Sequence, residues 1–152
     1  MRKRTKRKVW SLVNPIIHAA EGAAITPQHL LDPLRMGELQ SIEAMRTGEG
    51  RLEHWTTIKQ MHGICETMAK EGIGPEALEA CAVLQEELIA MAKRFEKIGR
   101  FVITARALQA MRDVYDYHDL QRQSIPRATY DRMIALDVAR MKSQAPGVVE
   151  IL

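Results

Sequence analysis

Three groups of residues have types and spacings that could do chemistry. The first is a block of cations: Arg2, Lys3, Arg4, Lys6, Arg7 and Lys8 fall within residues 1–8, with no acid among them. An uninterrupted block of like charge repels itself and does not fold alone. It attracts phosphate by displacing condensed counterions, so these six residues are candidate nucleic-acid contacts. Such contacts would be made to the backbone before any base edge. The same charge also suits a solvated tail with no partner, an acidic protein surface or an anionic membrane surface. The second group is His62-x-x-Cys65, with His54 and Glu66 nearby. One helical turn separates the pair, a spacing that can present two ligands to zinc. A closed site needs four, and Cys81 and His118, or a carboxylate, are the available completions. The third group is Asp113, Asp116, His118 and Asp119, interleaved with Tyr115 and Tyr117. There His118 could serve as a base oriented by a carboxylate.

The second and third groups have simpler structural explanations. Cys65 and Cys81 fall on apolar helical seams, where a free cysteine behaves as a small hydrophobe, and no Cys-x-x-Cys accompanies them. Neither metal nor cofactor is expected. Asp119 can pair with Arg122 at i+3 and Asp116 with Arg112 at i−4. His118 falls on the apolar side of its helix, as a hydrogen-bonded core or interface histidine would. No nucleophile or phosphate-binding loop stands beside it. Gly-x-x-x-x-Gly-Lys-Ser/Thr, Gly-x-Gly-x-x-Gly and His-Glu-x-x-His are all absent, so an enzyme is not the expectation. Residues 125–134 resemble the start of a helix-turn-helix recognition helix, with Arg127, Thr129, Tyr130 and Arg132 near its N-terminal end. The approach through Gln-Ser-Ile-Pro lacks the glycine-containing turn of that motif.

Helices are what must position these groups. Strand patterns are nearly missing, and apolar residues recur at spacings of 3 and 4 over most of the chain. Asp32-Pro33 pairs a capping side chain with a first-turn proline. It predicts a helix over 33–47, preceded by a single turn over 27–31, with Leu34, Leu39, Ile42 and Met45 inward. A second helix is expected over 51–71, through Trp55, Ile58, His62, Cys65 and Ala69. The clearest seam is Ala77, Cys81, Leu84, Leu88, Met91, Phe95 and Ile98, in a helix over 75–98. It suits either the centre of a bundle or a parallel coiled-coil dimer. Helices over 105–123 and 126–142 follow, the last packing through Tyr130, Ile134, Val138 and Met141. A shorter one is expected over 15–24, with Val9, Trp10, Leu12 and Val13 strapped to the core. The expected fold is an all-α, single-domain bundle of about five main helices. A disordered basic arm (1–8) precedes the helical domain (9–143), and a tail (144–152) follows it.

Composition agrees. The 152 residues carry a formal charge of +3 and are 46% hydrophobic, and no apolar run is long enough to span a bilayer. The charge divides unevenly, because residues 9–152 hold 16 cations against 19 acids. The net charge is therefore +6 on the arm and −3 on the rest. Asn14-Pro15 interrupts the apolar run that a secretory signal would need. A cytoplasmic protein with reduced thiols is expected. Nine methionines suit core filling, and also an adaptable binding groove.

The basic opening, then Leu12-Val-Asn-Pro-Ile and, later, His118-Asp-Leu-Gln-Arg, resemble small proteins carried by prophages and plasmids of betaproteobacteria, a group with no established activity. The resemblance implies a mobile-element setting and no catalytic residues. The expected function is that of a nucleic-acid-binding accessory or regulatory protein acting through the arm, on DNA or RNA. The alternative is a helical protein-interaction module, an inhibitor or assembly factor. A homodimer through a helical seam is a further possible partnership.

Overall fold

The structure is a computed structural model that describes residues 28–143. The arm, the expected 15–24 helix and its preceding strap, and the tail lie outside the described residues. Five helices make up the described chain: α1 (Gln28–Thr47), α2 (Leu52–Lys70), α3 (Leu78–Ile98), α4 (Ala105–Gln123) and α5 (Arg127–Ser143). A 3-10 turn at Pro75–Ala77 leads into α3. No strand occurs among these residues, so the all-α bundle is the fold.

The connections follow local chemistry. Gly48, Gly74 and Gly99 have positive φ, the left-handed conformation that an L side chain resists. Gly99 ends α3, its N–H bonding back to the Phe95 carbonyl at 2.8 Å. Thr104 caps α4, its hydroxyl accepting from Ala107 N–H at 3.0 Å. The same hydroxyl donates to Glu87 at 3.1 Å, so the cap also binds α4 to α3.

α2 lies at the centre and touches α1, α3, α4 and α5. Its expected seam is buried throughout: Trp55, Ile58, His62, Cys65 and Ala69 face inward together with Met61 and Met68. The indole N–H of Trp55 donates to the Leu88 carbonyl of α3 at 3.4 Å. The α3 seam is buried from Ala77 through Met91, whereas Ile98 is exposed. That seam is covered by this chain's own helices and does not offer itself to a second copy as a coiled coil.

Three expectations need correction. α1 does not begin at Pro33. It begins at Gln28 and runs through the proline. Pro33, the sixth residue of the helix, leaves the His29 carbonyl without its i+4 N–H donor, and fully buried Leu31 packs the preceding turn into the core. Leu39 does not face the core. It is 45% exposed, and Glu38 holds the inward position. On α5, Val138 is 46% exposed and Asp137 is buried in its place. In both helices a carboxylate is inward because a partner awaits it.

For Asp137 that partner is on α2. Thr67 donates to its Oδ1 at 2.9 Å. Arg140 pairs with Glu66 at 2.9 Å and approaches Asp137 at 3.4 Å. Gly63 makes room: a Cβ there would stand 3.0 Å from both carboxylate oxygens. Gly63→Ala should therefore lower stability by about 1–2 kcal/mol despite alanine's better helix propensity, read as a drop in Tm. In an Asp137→Ala background the sign should reverse. A loss of equal size in both backgrounds would refute the contact.

Candidate functional site

The most connected group of polar side chains is a network where α1, α4 and α5 meet. Arg122 is completely buried. Its two terminal nitrogens grip Glu38 in a fork, each at 2.9 Å. The second nitrogen also reaches Asp119 at 3.2 Å, and Asp119 accepts from Arg35 at 2.8 Å. Burial opposes the charge on Arg122, but the hydrogen bonds and negative charge of Glu38 outweigh it and hold the guanidinium protonated. Burial pushes the Glu38 carboxyl upward against the pull of Arg122. The Arg122 Nε has no partner.

His118 lies beside this network with no solvent exposure. Its Nδ1 is 3.0 Å from Gln121 Oε1 and its Nε2 is 3.2 Å from the Tyr130 hydroxyl. An amide oxygen only accepts, so Nδ1 carries the proton and Tyr130 donates to Nε2. The Gln121 amide nitrogen in turn donates to the carbonyls of Cys65 at 3.2 Å and Ile73 at 2.8 Å. Burial, reinforced by the charge of Arg122, holds the His118 pKa down at about 3. The ring is a neutral structural hub, as its place on the apolar side suggests.

The aspartates that a catalytic reading would gather around it do not converge. Asp113 accepts from Gln109 at 2.8 Å and faces the groove between α3 and α4. Asp116 borders the groove between α1 and α4 together with Arg112, without forming the expected ion pair. Asp119 does pair with Arg122.

The residues spaced like zinc ligands are packed as core groups. His62 Nε2 lies 2.9 Å from the Cys81 carbonyl, and burial lowers its pKa. Cys65 and Cys81 are buried free thiols. The neighbouring Cys81 thiol and burial push the Cys65 thiol well above the ordinary range, and a protonated thiol is a poor ligand and nucleophile. Among the described residues no cluster of three or more His, Cys, Asp or Glu could hold a metal.

Of the helix-turn-helix candidates, Tyr130 belongs to the core, whereas Arg127 and Arg132 are exposed on α5. Tyr130 is buried, Arg127 pairs with Asp131 at 3.0 Å, and Arg132 donates to Thr129 at 3.2 Å.

Two surface features remain. The α1–α4 groove has a volume of about 510 Å³, and its lining includes Leu39, Ile42 and Tyr115. Met36 and Leu39 on α1 are 55% and 45% exposed. The other feature is electrostatic. Arg35, Arg46, Arg106, Arg122, Arg127 and Arg140 each face a carboxylate. At the end of α3, by contrast, Lys93, Lys97 and Arg100 are exposed and have no ion-pair partner. The segment Lys-Arg-Phe-Glu-Lys-Ile-Gly-Arg draws attention for its apolar seam, but its cations also follow a spacing of 4 and 3, which is legible in the sequence.

Arg2, Lys3, Arg4, Lys6, Arg7 and Lys8 lie outside the described residues. No described helix is long and apolar enough to cross a membrane. Comparison of the chain with family models, with curated proteins and with solved structures finds no match.

Proposed function

We propose that the protein is a nucleic-acid-binding accessory or regulatory protein whose basic arm neutralises backbone phosphates of DNA or RNA while the helical bundle serves as a rigid platform. The partition of charge carries this reading. Six cations and no acid occupy residues 1–8, whereas residues 28–143 hold 16 cations and 17 acids. Most arginines of the bundle are neutralised by neighbouring carboxylates, so the surface as a whole does not attract polyanions. Arg2, Lys3, Arg4, Lys6, Arg7 and Lys8 are the proposed contacts, and binding is expected to be largely independent of sequence. A mobile-element setting rests on the residues of the resemblance given above, and a cytoplasmic one on the interruption of the apolar run at Asn14-Pro15.

Six phosphate contacts predict a log–log salt slope near −5 on duplex DNA. Replacing all six cations with glutamine should remove about 5 from the slope. Binding with unchanged affinity and slope after that replacement would sink the arm as the contact.

The exposed apolar residues of the α1–α4 groove favour a second reading, that of a protein-interaction module. In that case affinity purification from the native host would recover a partner that nuclease treatment does not remove. Substituting Leu39, which lines the groove, with serine would abolish the recovery.

A further inference from the structure

We infer that the corner of the bundle at the end of α3 is a second phosphate-binding surface, with Lys93, Lys97 and Arg100 as its contacts. The inference deepens the nucleic-acid reading and rests on it.

Charge distribution is the first support. Residues 93–100 hold four cations against Glu96, while the remainder of 28–143 holds 12 cations and 16 acids. The described chain is thus strongly polarised, at +3 in eight residues and −4 elsewhere.

The second support is the lack of compensation. Lys93 and Lys97 are like charges at i,i+4, an arrangement that disfavours a helix. Glu96 stands three residues after Lys93 on the same helix, a spacing suited to pairing, yet no ion pair forms between them. The helix dipole favours cations in the last turn of α3, which accounts for Lys97. Lys93 lies a turn earlier and Arg100 beyond the end.

The third support is rigidity. Arg94 donates to the Val102 carbonyl at 3.2 Å, and the Phe95 and Phe101 rings stack at 4.5 Å. Gly99 reverses the chain with φ of 72°. Arg100 is therefore presented from a braced turn that directly follows the helix carrying the two lysines. The N-terminus of α4 at this corner is already covered by Glu87 through Thr104, which leaves the three side chains as the available contacts.

The ligand chemistry is the phosphodiester backbone of a nucleic acid.

The test compares full-length wild type, Lys93→Gln/Lys97→Gln/Arg100→Gln and the six-substitution arm variant. Each is titrated with a labelled DNA duplex of about 20 base pairs across a range of salt. Circular dichroism and Tm check the fold, and a variant with Lys93 and Lys97 changed to arginine keeps the charge. The corner variant should fold normally, bind at least tenfold more weakly near 0.1 M salt and lose about 2–3 from the salt slope. The arginine variant should bind like wild type. Binding that depends on the arm but is unchanged in the corner variant overturns the corner and leaves the arm reading intact. Binding that survives arm neutralisation but follows the corner overturns the arm reading and supports the corner. No binding by wild type overturns both. So does a corner-dependent affinity for phosphatidylserine vesicles with none for the duplex.

Discussion

Arg122→Met should destabilise the bundle by about 3–5 kcal/mol, the cost typical of leaving one buried charge without its partner. Two carboxylates depend on this guanidinium. Glu38 is buried and accepts both arms of the fork, and it would keep no cation in direct contact. Asp119 would keep Arg35, which donates to it at 2.8 Å. The greater part of the loss should therefore come from Glu38. The pair as a whole is a different matter, because two ions removed from water recover little more than their desolvation cost. Glu38→Met combined with Arg122→Met should restore most of the stability lost by the single variant. Urea denaturation of wild type, both single variants and the double variant closes the cycle. An additive double variant would mean that Glu38 and Arg122 do not act as a pair.

Acid should unfold the protein earlier than its carboxylates alone would dictate, and His118 is the main cause. In the unfolded chain a histidine binds a proton near pH 6.5. In the fold, burial and the Arg122 charge delay protonation of His118 until about pH 3. Between these limits the unfolded state holds one more proton, so stability falls by about 1.4 kcal/mol for each unit of acidification. The contribution is whole above pH 6.5 and declines below it, the loss reaching on the order of 4–5 kcal/mol by pH 3. His62, also lowered, acts in the same direction. Glu38, raised by burial, acts oppositely, because the folded form takes up its proton first. His118→Gln should lose stability at pH 7 through its hydrogen bonds to Gln121 and Tyr130. It should also lose about one proton's worth of the dependence between pH 6.5 and 4.5. If the dependence in His118→Gln matches wild type, the protonation site lies elsewhere.

These effects centre on residues whose sequence positions say little about their roles. Arg122 follows Asp119 at i+3, an ordinary surface pairing, and that pair does form. Its stronger partner, Glu38, stands 84 residues away, and no local spacing connects them. Asp137 is similar. Helical periodicity favours Val138 for the inward position, but Thr67 and Arg140, with the space left at Gly63, draw the carboxylate in. The α3 seam was readable because the physics behind it is local: an apolar stripe at 3 and 4 must be covered by something. What covers it is a long-range matter, and here the cover is the chain's own α2 and α4.

The pattern of residue types alone determined an all-α chain, most helix limits to within a residue or two, and the concentration of positive charge in residues 1–8. Each depends on neighbours within a few turns, through hydrogen-bonding periodicity, capping and the repulsion of adjacent charges. Only the assembled helices decided which titratable groups are buried and paired, because burial and ion pairing join residues distant in sequence and depend on how the helices cross. The packing turned His62, Cys65 and His118 from possible ligands and bases into satisfied core groups. It dispersed the three aspartates and left Lys93, Lys97 and Arg100 as cations without carboxylate partners at one corner of the bundle.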